Sequence, residues 1–419
     1  MHPKNIYNVE PDFKELATNF DSFKPFVKQQ SNGRAYIDFK DPLAVKELCK
    51  CLMKRDFDID LDFPLDSLCP AVPNRLNYIL WLEDLVSETI QDDKIRGIDI
   101  NLSSKSGVGA SCIYPLLGCA RNPHWTFLGT DINHRSIEWA QENVRKNGLE
   151  DKIKIRHNDD PEKILVIDEE EYTFCMCNPP FYESQEELEQ GLVNKELEPS
   201  AVCTGSHHEM ITQGGEYGFI SRMIKESLEI RTRIRWYTSM IGLKKSIWPL
   251  VRMLKASGIT NYLVTDLTQG KTTRWAIAWS FHPERAVKTP SLDEYRPKCQ
   301  FVIKLPQSID FVMRHIQTIL ADLDISIERQ DCQSLIGTAK RNSWSRAARR
   351  QKRQKITSEP EQDLFTFEMI LEPNTVLQIS WTKGQDRSLF ESFWSHVKKR
   401  IEEQCGLERG TKNKCFIEA

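Results

Sequence analysis

Four consecutive residues, Asn178-Pro179-Pro180-Phe181, carry the groups best suited to chemistry in this 419-residue chain. The Asn178 amide oxygen and the Pro179 carbonyl are adjacent acceptors, and a prolyl residue keeps its acceptor while lacking a donor. Such a pair suits an amine whose lone pair is delocalised into a ring, as in the exocyclic amine of adenine, because accepting hydrogen bonds from it raises its nucleophilicity. Phe181 offers a face for a base to stack on, a contact worth roughly 1–3 kcal/mol. Asn-Pro is equally a common turn dipeptide, so a surface turn is the competing reading. The preceding run, Tyr172-Thr173-Phe174-Cys175-Met176-Cys177, is apolar and of strand length, and the prolines end it because they cannot donate to a central ladder. The four residues would then stand at the carboxyl end of a buried strand, where ligands sit in a parallel α/β sheet.

A second constellation lies upstream. Arg96-Gly97-Ile98-Asp99-Ile100 reads as a strand, followed by residues 101–106 and then by Gly107-Val108-Gly109-Ala110-Ser111, which opens an apolar helix over 112–120. Glycines between a strand and a helix let backbone N–H groups approach a ligand closely. Gly-x-Gly is a weak signal, and a plain turn competes with a nucleotide loop. The next strand, 126–130, ends at Asp131, 24 residues after Gly107 and near the offset at which a dinucleotide fold supplies its ribose-binding carboxylate. The same acid could cap the helix that follows, expected over 136–147. Further back, residues 69–78 (CPAVPNRLNY) form a proline-stiffened entry to a helix over 78–89, and Arg75 is the residue there able to grip a carboxylate bidentately.

The elements that must position these groups are those of an α/β sheet. Strands over 96–100, 126–130, 152–155, 172–177 and 234–238 alternate with helices over 112–120, 136–147, 218–228 and 250–257, which predicts a parallel sheet with right-handed crossovers. Strands over 261–267 and 275–281 add a closing antiparallel hairpin, and polar residues 182–215 read as a substrate loop. Residues 1–90 carry an unusual share of helix, with Asp41 capping one that starts at Pro42. A polar, proline-bearing stretch, 282–298, marks a boundary. Beyond it, strands over 301–305, 326–329, 364–371 and 376–382 with helices over 310–323 and 389–405 make a small α+β unit. The domain reading is a segment 1–90, a Rossmann-like core 91–285, a linker 286–298, an α+β unit 299–405 and a tail 406–419.

Composition bounds the partners. Fifty-seven basic residues nearly balance 60 acidic ones, so any preference for an anion must be local. The loop 340–355 (KRNSWSRAARRQKRQK) holds eight Lys or Arg and no acid, a field that attracts phosphate. Its cations include Lys340, Arg341, Arg346, Arg349, Arg350, Lys352 and Arg353, and Trp344 among them suits single-stranded or bulged RNA. A solvated loop that doubles as a nuclear-import signal explains the same run. The 12 cysteines are scattered, many in apolar segments, with no Cys-x-x-Cys pair, which points to reduced thiols and against zinc. Neither a signal peptide nor a membrane-length apolar run is present.

Taken together, Asp99, the glycine loop, Asp131 and Asn178-Pro179-Pro180-Phe181 resemble the eukaryotic methyltransferase-like-sixteen family. Phe39-Lys40-Asp41-Pro42, Val72-Pro73-Asn74-Arg75-Leu76-Asn77-Tyr78 and Arg235-Trp236-Tyr237 look like further signatures, and the similarity covers most of residues 1–290. The resemblance implies a class I methyltransferase domain that uses S-adenosyl-L-methionine to methylate adenosine N6 in structured RNA. Implied targets are U6 snRNA and S-adenosylmethionine synthetase pre-mRNA, at a splice site or hairpin, so that splicing and cofactor homeostasis are regulated. It implies that Arg75, Gly107, Gly109, Ser111, Asp131 and Asn178 hold the cofactor and that Asn178, Pro179, Pro180 and Phe181 are catalytic. Lys40 would help the N-terminal segment grip RNA. The C-terminal unit resembles the family's kinase-associated-type RNA-binding domain in topology and basic loop. The implied location is the nucleus, with the cytoplasm as a second site, and no metal is needed.

Two departures stand out. The family runs from the strand's Asp-Ile directly into Gly-x-Gly, whereas residues 101–106 intervene here, and they either bulge outward or displace Gly107. After Phe181 the family carries an arginine-rich stretch where this chain has Asn194-Lys195-Glu196-Leu197-Glu198. Two other readings stay open: a protein glutamine methyltransferase, which would use Asn-Pro-Pro-aromatic on an amide, and a non-catalytic RNA-binding protein whose cofactor loop the insertion has spoiled.

Overall fold

The computed structural model describes residues 1–100, 109–160, 162–180, 182–184, 186, 211–270, 272–345, 348 and 363–406, without the side chains of 329 and 330. The chain divides into two compact units, 1–281 with 289–296 and 282–288 with the residues from 297 onward.

The first unit begins with α1 (Phe13–Asn19), where the Asp12 carboxylate accepts the Lys14 and Glu15 N–H groups. A short antiparallel ribbon follows, β1 (Val27–Gln29) with β2 (Ala35–Ile37), in a segment the sequence marks mainly as helical. Helix α2 (Pro42–Phe57) starts where expected, its first turn held by Asp41 Oδ1 accepting the Leu43 N–H at 2.9 Å. Helix α3 (Val72–Thr89) starts six residues before the expected 78. Pro73 lies in its first turn, where a missing N–H costs nothing, so the stiff entry is already helix.

The sheet comprises β3 (Ile95–Ile100), β4 (Trp125–Asp131), β5 (Ile153–His157), β6 (Tyr172–Cys177), β7 (Ile234–Ile241), β8 (Asn261–Gln269) and β9 (Thr272–Ser280). Its helices are α4 (Ile113–Arg121), α5 (His134–Lys146), α6 (Gly215–Ile230) and α7 (Ile247–Ala256). The strand order is β5-β4-β3-β6-β7-β9-β8, with the first five parallel and β9 antiparallel to both neighbours. Register explains how the strands fit. Phe127, Gly97, Phe174 and Trp236 form one row across β4, β3, β6 and β7. A Cβ at Gly97 would come within 2.7 Å of both phenyl rings, so only glycine lets the two rings close over it. Trp236 Nε1 donates to Thr89 Oγ1 of α3 at 2.8 Å, and α4 brings Gly118 against Phe127. On the opposite face Ile98, Cys175, Tyr237 and Ile277 pack with Phe219 and Met223 of α6 and Leu250 of α7. Helices on both faces bury the central strands, so β6 reads as a continuous apolar run.

The second unit is a five-stranded antiparallel sheet in the order β10-β14-β13-β12-β11. Its elements are β10 (Gln300–Lys304), α8 (Ile309–Asp322), β11 (Ser326–Gln330), β12 (Ser334–Ala339), β13 (Phe365–Glu372), β14 (Val376–Gly384) and α9 (Arg387–Gln404). Alternate residues Phe365, Phe367, Met369 and Leu371 of β13 enter a core shared with Ile316 and Leu320 of α8 and Phe390, Phe393 and Val397 of α9. Strand β12 was not expected. Gly337 weakens its propensity, yet glycine is required there because a Cβ would lie 2.7 Å from the Phe367 ring.

The stretch 286–298 is not a free linker. Arg285 and Val287 are buried in the second unit, with the Arg285 guanidinium stacked 3.4 Å over the Trp381 ring centre. Thr289 donates through N and Oγ1 to Glu88 at 2.7 Å each, the Pro290 carbonyl accepts from Trp81 Nε1, and Tyr295 is buried in the first unit's core. The polar, proline-bearing composition marked a boundary here, and these residues are divided between the two units.

Candidate active site

Strand order reverses between β3 and β6, the point in an open α/β sheet where a crevice forms beyond the carboxyl ends. Asp99 of β3, Asp131 of β4 and Asn178, just past β6, lie at those ends. The β6–β7 ladder pairs residues only as far as Cys175 with Tyr237. Past that point hydroxyls serve the backbone of β6: Thr238 Oγ1 donates to the Cys175 carbonyl at 2.8 Å, and the Cys177 N–H donates to Tyr78 Oη at 3.4 Å. Tyr78 Oη and Thr238 Oγ1 lie 2.7 Å apart, so α3 fixes the last turn of chain before the catalytic candidates.

Asn178, Pro179 and Pro180 are buried, and Asn178 Oδ1 has no hydrogen-bond partner. Leaving a buried acceptor unsatisfied costs roughly 1–3 kcal/mol, a cost that a donor brought by a ligand would remove. This favours the reading of a waiting acceptor over that of a surface turn. Phe181 lies outside the described residues.

Asp131 is fully buried, and its Oδ1 accepts the Asn133 N–H at 2.8 Å while Oδ2 accepts the Gly109 N–H at 3.3 Å. It does not cap the following helix. Asn133 does, accepting from the Ser136 N–H, because α5 begins at His134, two residues sooner than expected. The bond to Gly109 ties acid and glycine loop together, and Gly109 takes φ +70°, a left-handed conformation natural to glycine. Ser111 is buried beside it, and Gly107 lies outside the described residues, as do 101–106. The Arg75 guanidinium stacks 5.4 Å from the centre of the Tyr114 ring. Arg75, Gly109, Ser111 and Asp131 therefore offer a cation, left-handed backbone and a fixed carboxylate, a set that suits an adenosyl ligand bearing an amino acid tail.

Asp99 belongs to this crevice and was not among the expected site residues. It is buried, its Oδ2 has no partner, and burial pushes its carboxyl well above the usual range. Arg75 opposes that rise and Asp131 adds to it. The signal was an acid between Ile98 and Ile100 in a strand buried on both faces.

Among the expected RNA contacts, Lys40 is exposed at the turn into α2, and Lys340 and Arg341 are exposed just after β12. Arg341 pairs with Asp324. Arg346, Arg349, Arg350, Lys352 and Arg353 lie outside the described residues. Trp344 is not available to stack on RNA. It is 2% exposed, in edge-on contact with Phe365 at 5.6 Å and Phe393 at 5.2 Å, because this core draws in the large apolar ring nearest to it in sequence.

The strand order, the glycine loop bonded to an acid after the second strand, and the Asn-Pro-Pro turn at the reversal define a Rossmann-like class I methyltransferase. Residues 1–283 match the family model Methyltransf_10, described as RNA methyltransferase, and the chain belongs to that family. It is 40% identical over 388 residues to the RNA N(6)-adenosine-methyltransferase mettl16 of Xenopus laevis, covering 84% of this chain and 69% of that one. It is 38% identical to the U6 small nuclear RNA (adenine-(43)-N(6))-methyltransferase of Schizosaccharomyces pombe, covering 88% and 96%. Among solved structures, the hMettl16 catalytic domain in complex with a MAT2A 3'UTR hairpin is 41% identical with a TM-score of 0.64, covering 70% of this chain and all but 1% of that chain (99% covered). The N-terminal domain of human METTL16 in complex with SAH is 39% identical with a TM-score of 0.56, covering 67% and 99%.

Proposed function

We propose that this chain transfers a methyl group from S-adenosylmethionine to the N6 amine of an adenosine in structured RNA, of the kinds named for its relatives: U6 small nuclear RNA and a MAT2A 3'UTR hairpin. Work on U6 small nuclear RNA would place it in the nucleus. The observation that carries the reading is Asn178 Oδ1, an acceptor buried without a donor one residue beyond a central strand, at the same edge of the sheet as the Asp131–Gly109 pair.

When bound, S-adenosylmethionine supplies an electrophilic methyl group on a sulfonium. Arg75, Gly109, Ser111 and Asp131 hold it, with Gly107 joining them. Asn178 Oδ1 and the Pro179 carbonyl accept hydrogen bonds from the adenine amine and orient its lone pair, Pro180 stiffens the turn, and Phe181 clamps the base. Most of the acceleration comes from positioning, which can contribute about 7–11 kcal/mol in favourable geometry. Lys40 and the cations of 340–355 bind the RNA backbone.

Label from a tritiated methyl donor is expected in RNA and not in protein. Asn178→Ala should lower transfer by about a hundredfold or more while RNA affinity stays within about twofold. Retained turnover in that variant removes Asn178 from the chemistry, and label on protein glutamine would assign the same turn to an amide substrate.

A further inference from the structure

We propose that Asn143 is a positioning residue for the cofactor, the group through which α5 and the N-terminal segment hold the glycine loop in place. Asn143 is fully buried, and its amide makes three hydrogen bonds. Nδ2 donates to the Asp62 carbonyl at 2.7 Å and to the Ala110 carbonyl at 3.0 Å, and Oδ1 accepts the Asp62 N–H at 2.9 Å. One turn later Asn147 grips Asp60 in the same way, donating to its carbonyl at 2.9 Å and accepting its N–H at 2.8 Å. The spacing has a simple origin. Four helical residues rise about 6 Å and two extended residues span about 6.6 Å, so amides one turn apart meet alternate residues of an extended chain as a neighbouring strand would.

Asn147 stops at that segment. Asn143 goes further, into the loop, where Ala110 lies between Gly109, whose N–H is held by Asp131, and the buried Ser111. Asp131 and Asn143 thus fix consecutive residues of the loop from two different elements. Asp62 is itself anchored, pairing with Lys46 of α2 at 2.7 Å, so Asn143 has a firm partner on its far side.

The test compares Asn143→Ala with Asn147→Ala in steady-state methyl transfer with S-adenosylmethionine and RNA varied separately. Both substitutions loosen the grip on residues 60–62, but only the first releases Ala110. Asn143→Ala should raise KM for S-adenosylmethionine about tenfold, with kcat at saturation and KM for RNA within about twofold, and Asn147→Ala should leave all three within that margin. Equal rises in both variants, or a loss of kcat with unchanged KM, would mean that Asn143 merely secures the N-terminal segment. Asn143→Ser gives the same readout should the alanine variant fail to fold. The inference rests on the Gly109–Asp131 cradle as the cofactor site, which Asp131→Ala checks separately by calorimetry. Undiminished S-adenosylmethionine binding there refutes the site itself, whereas loss of binding there with none in Asn143→Ala refutes only the positioning role.

Discussion

Asp99 and Asn178 illustrate what a single position can and cannot reveal. Both sit where polar atoms are costly, and each has an oxygen with no partner. Asn178 was legible because prolines and an aromatic follow it. Asp99 was not singled out for the site, because a lone acid in an apolar strand has no spacing to match. Its chemistry is nonetheless testable. Burial raises its carboxyl pKa in the folded protein above the unfolded value of about 3.9, so the folded state binds the proton more tightly. The resulting stabilisation is complete below that unfolded value and is lost as pH rises through the folded one. Asp99→Asn should therefore melt above the parent at neutral pH, with the gap closing as pH falls toward about 4. Thermal melts across that range that run parallel for the two proteins would refute this.

At the level of elements, periodicity identified the strands of the methyltransferase sheet, because strands covered on both faces are apolar throughout. It placed α3, α5 and α6 late at their starts, because first turns are chosen by caps and prolines rather than by apolar spacing. It missed β12 and misread Trp344 for a shared reason: both are decided by Phe365, Phe367 and Phe393, which are distant in sequence. Trp344→Ala should destabilise the C-terminal unit by about 3–5 kcal/mol, measured by denaturant unfolding. Trp344→Phe should leave RNA affinity unchanged below the melting range, and a drop there would return the residue to the RNA surface.

For the whole molecule, the catalytic unit does not end where the family model does. The family match stops at 283, but Thr289, Pro290 and Tyr295 pack on the first unit. A fragment 1–298 should melt at least about 1.5 °C above a fragment 1–283, the scale expected for regaining about 1 kcal/mol or more in a domain of this size. Equal melting temperatures would mean that 289–296 adds nothing. The same interleaving bears on what happens when the chain is nicked. A protease cutting within 282–288 would leave the downstream fragment still holding 289–296, a piece of the upstream fragment's fold, while the upstream fragment would keep part of a stretch that belongs to the downstream one. The two products would remain clasped by exchanged pieces, so a severed backbone need not mean a separated enzyme.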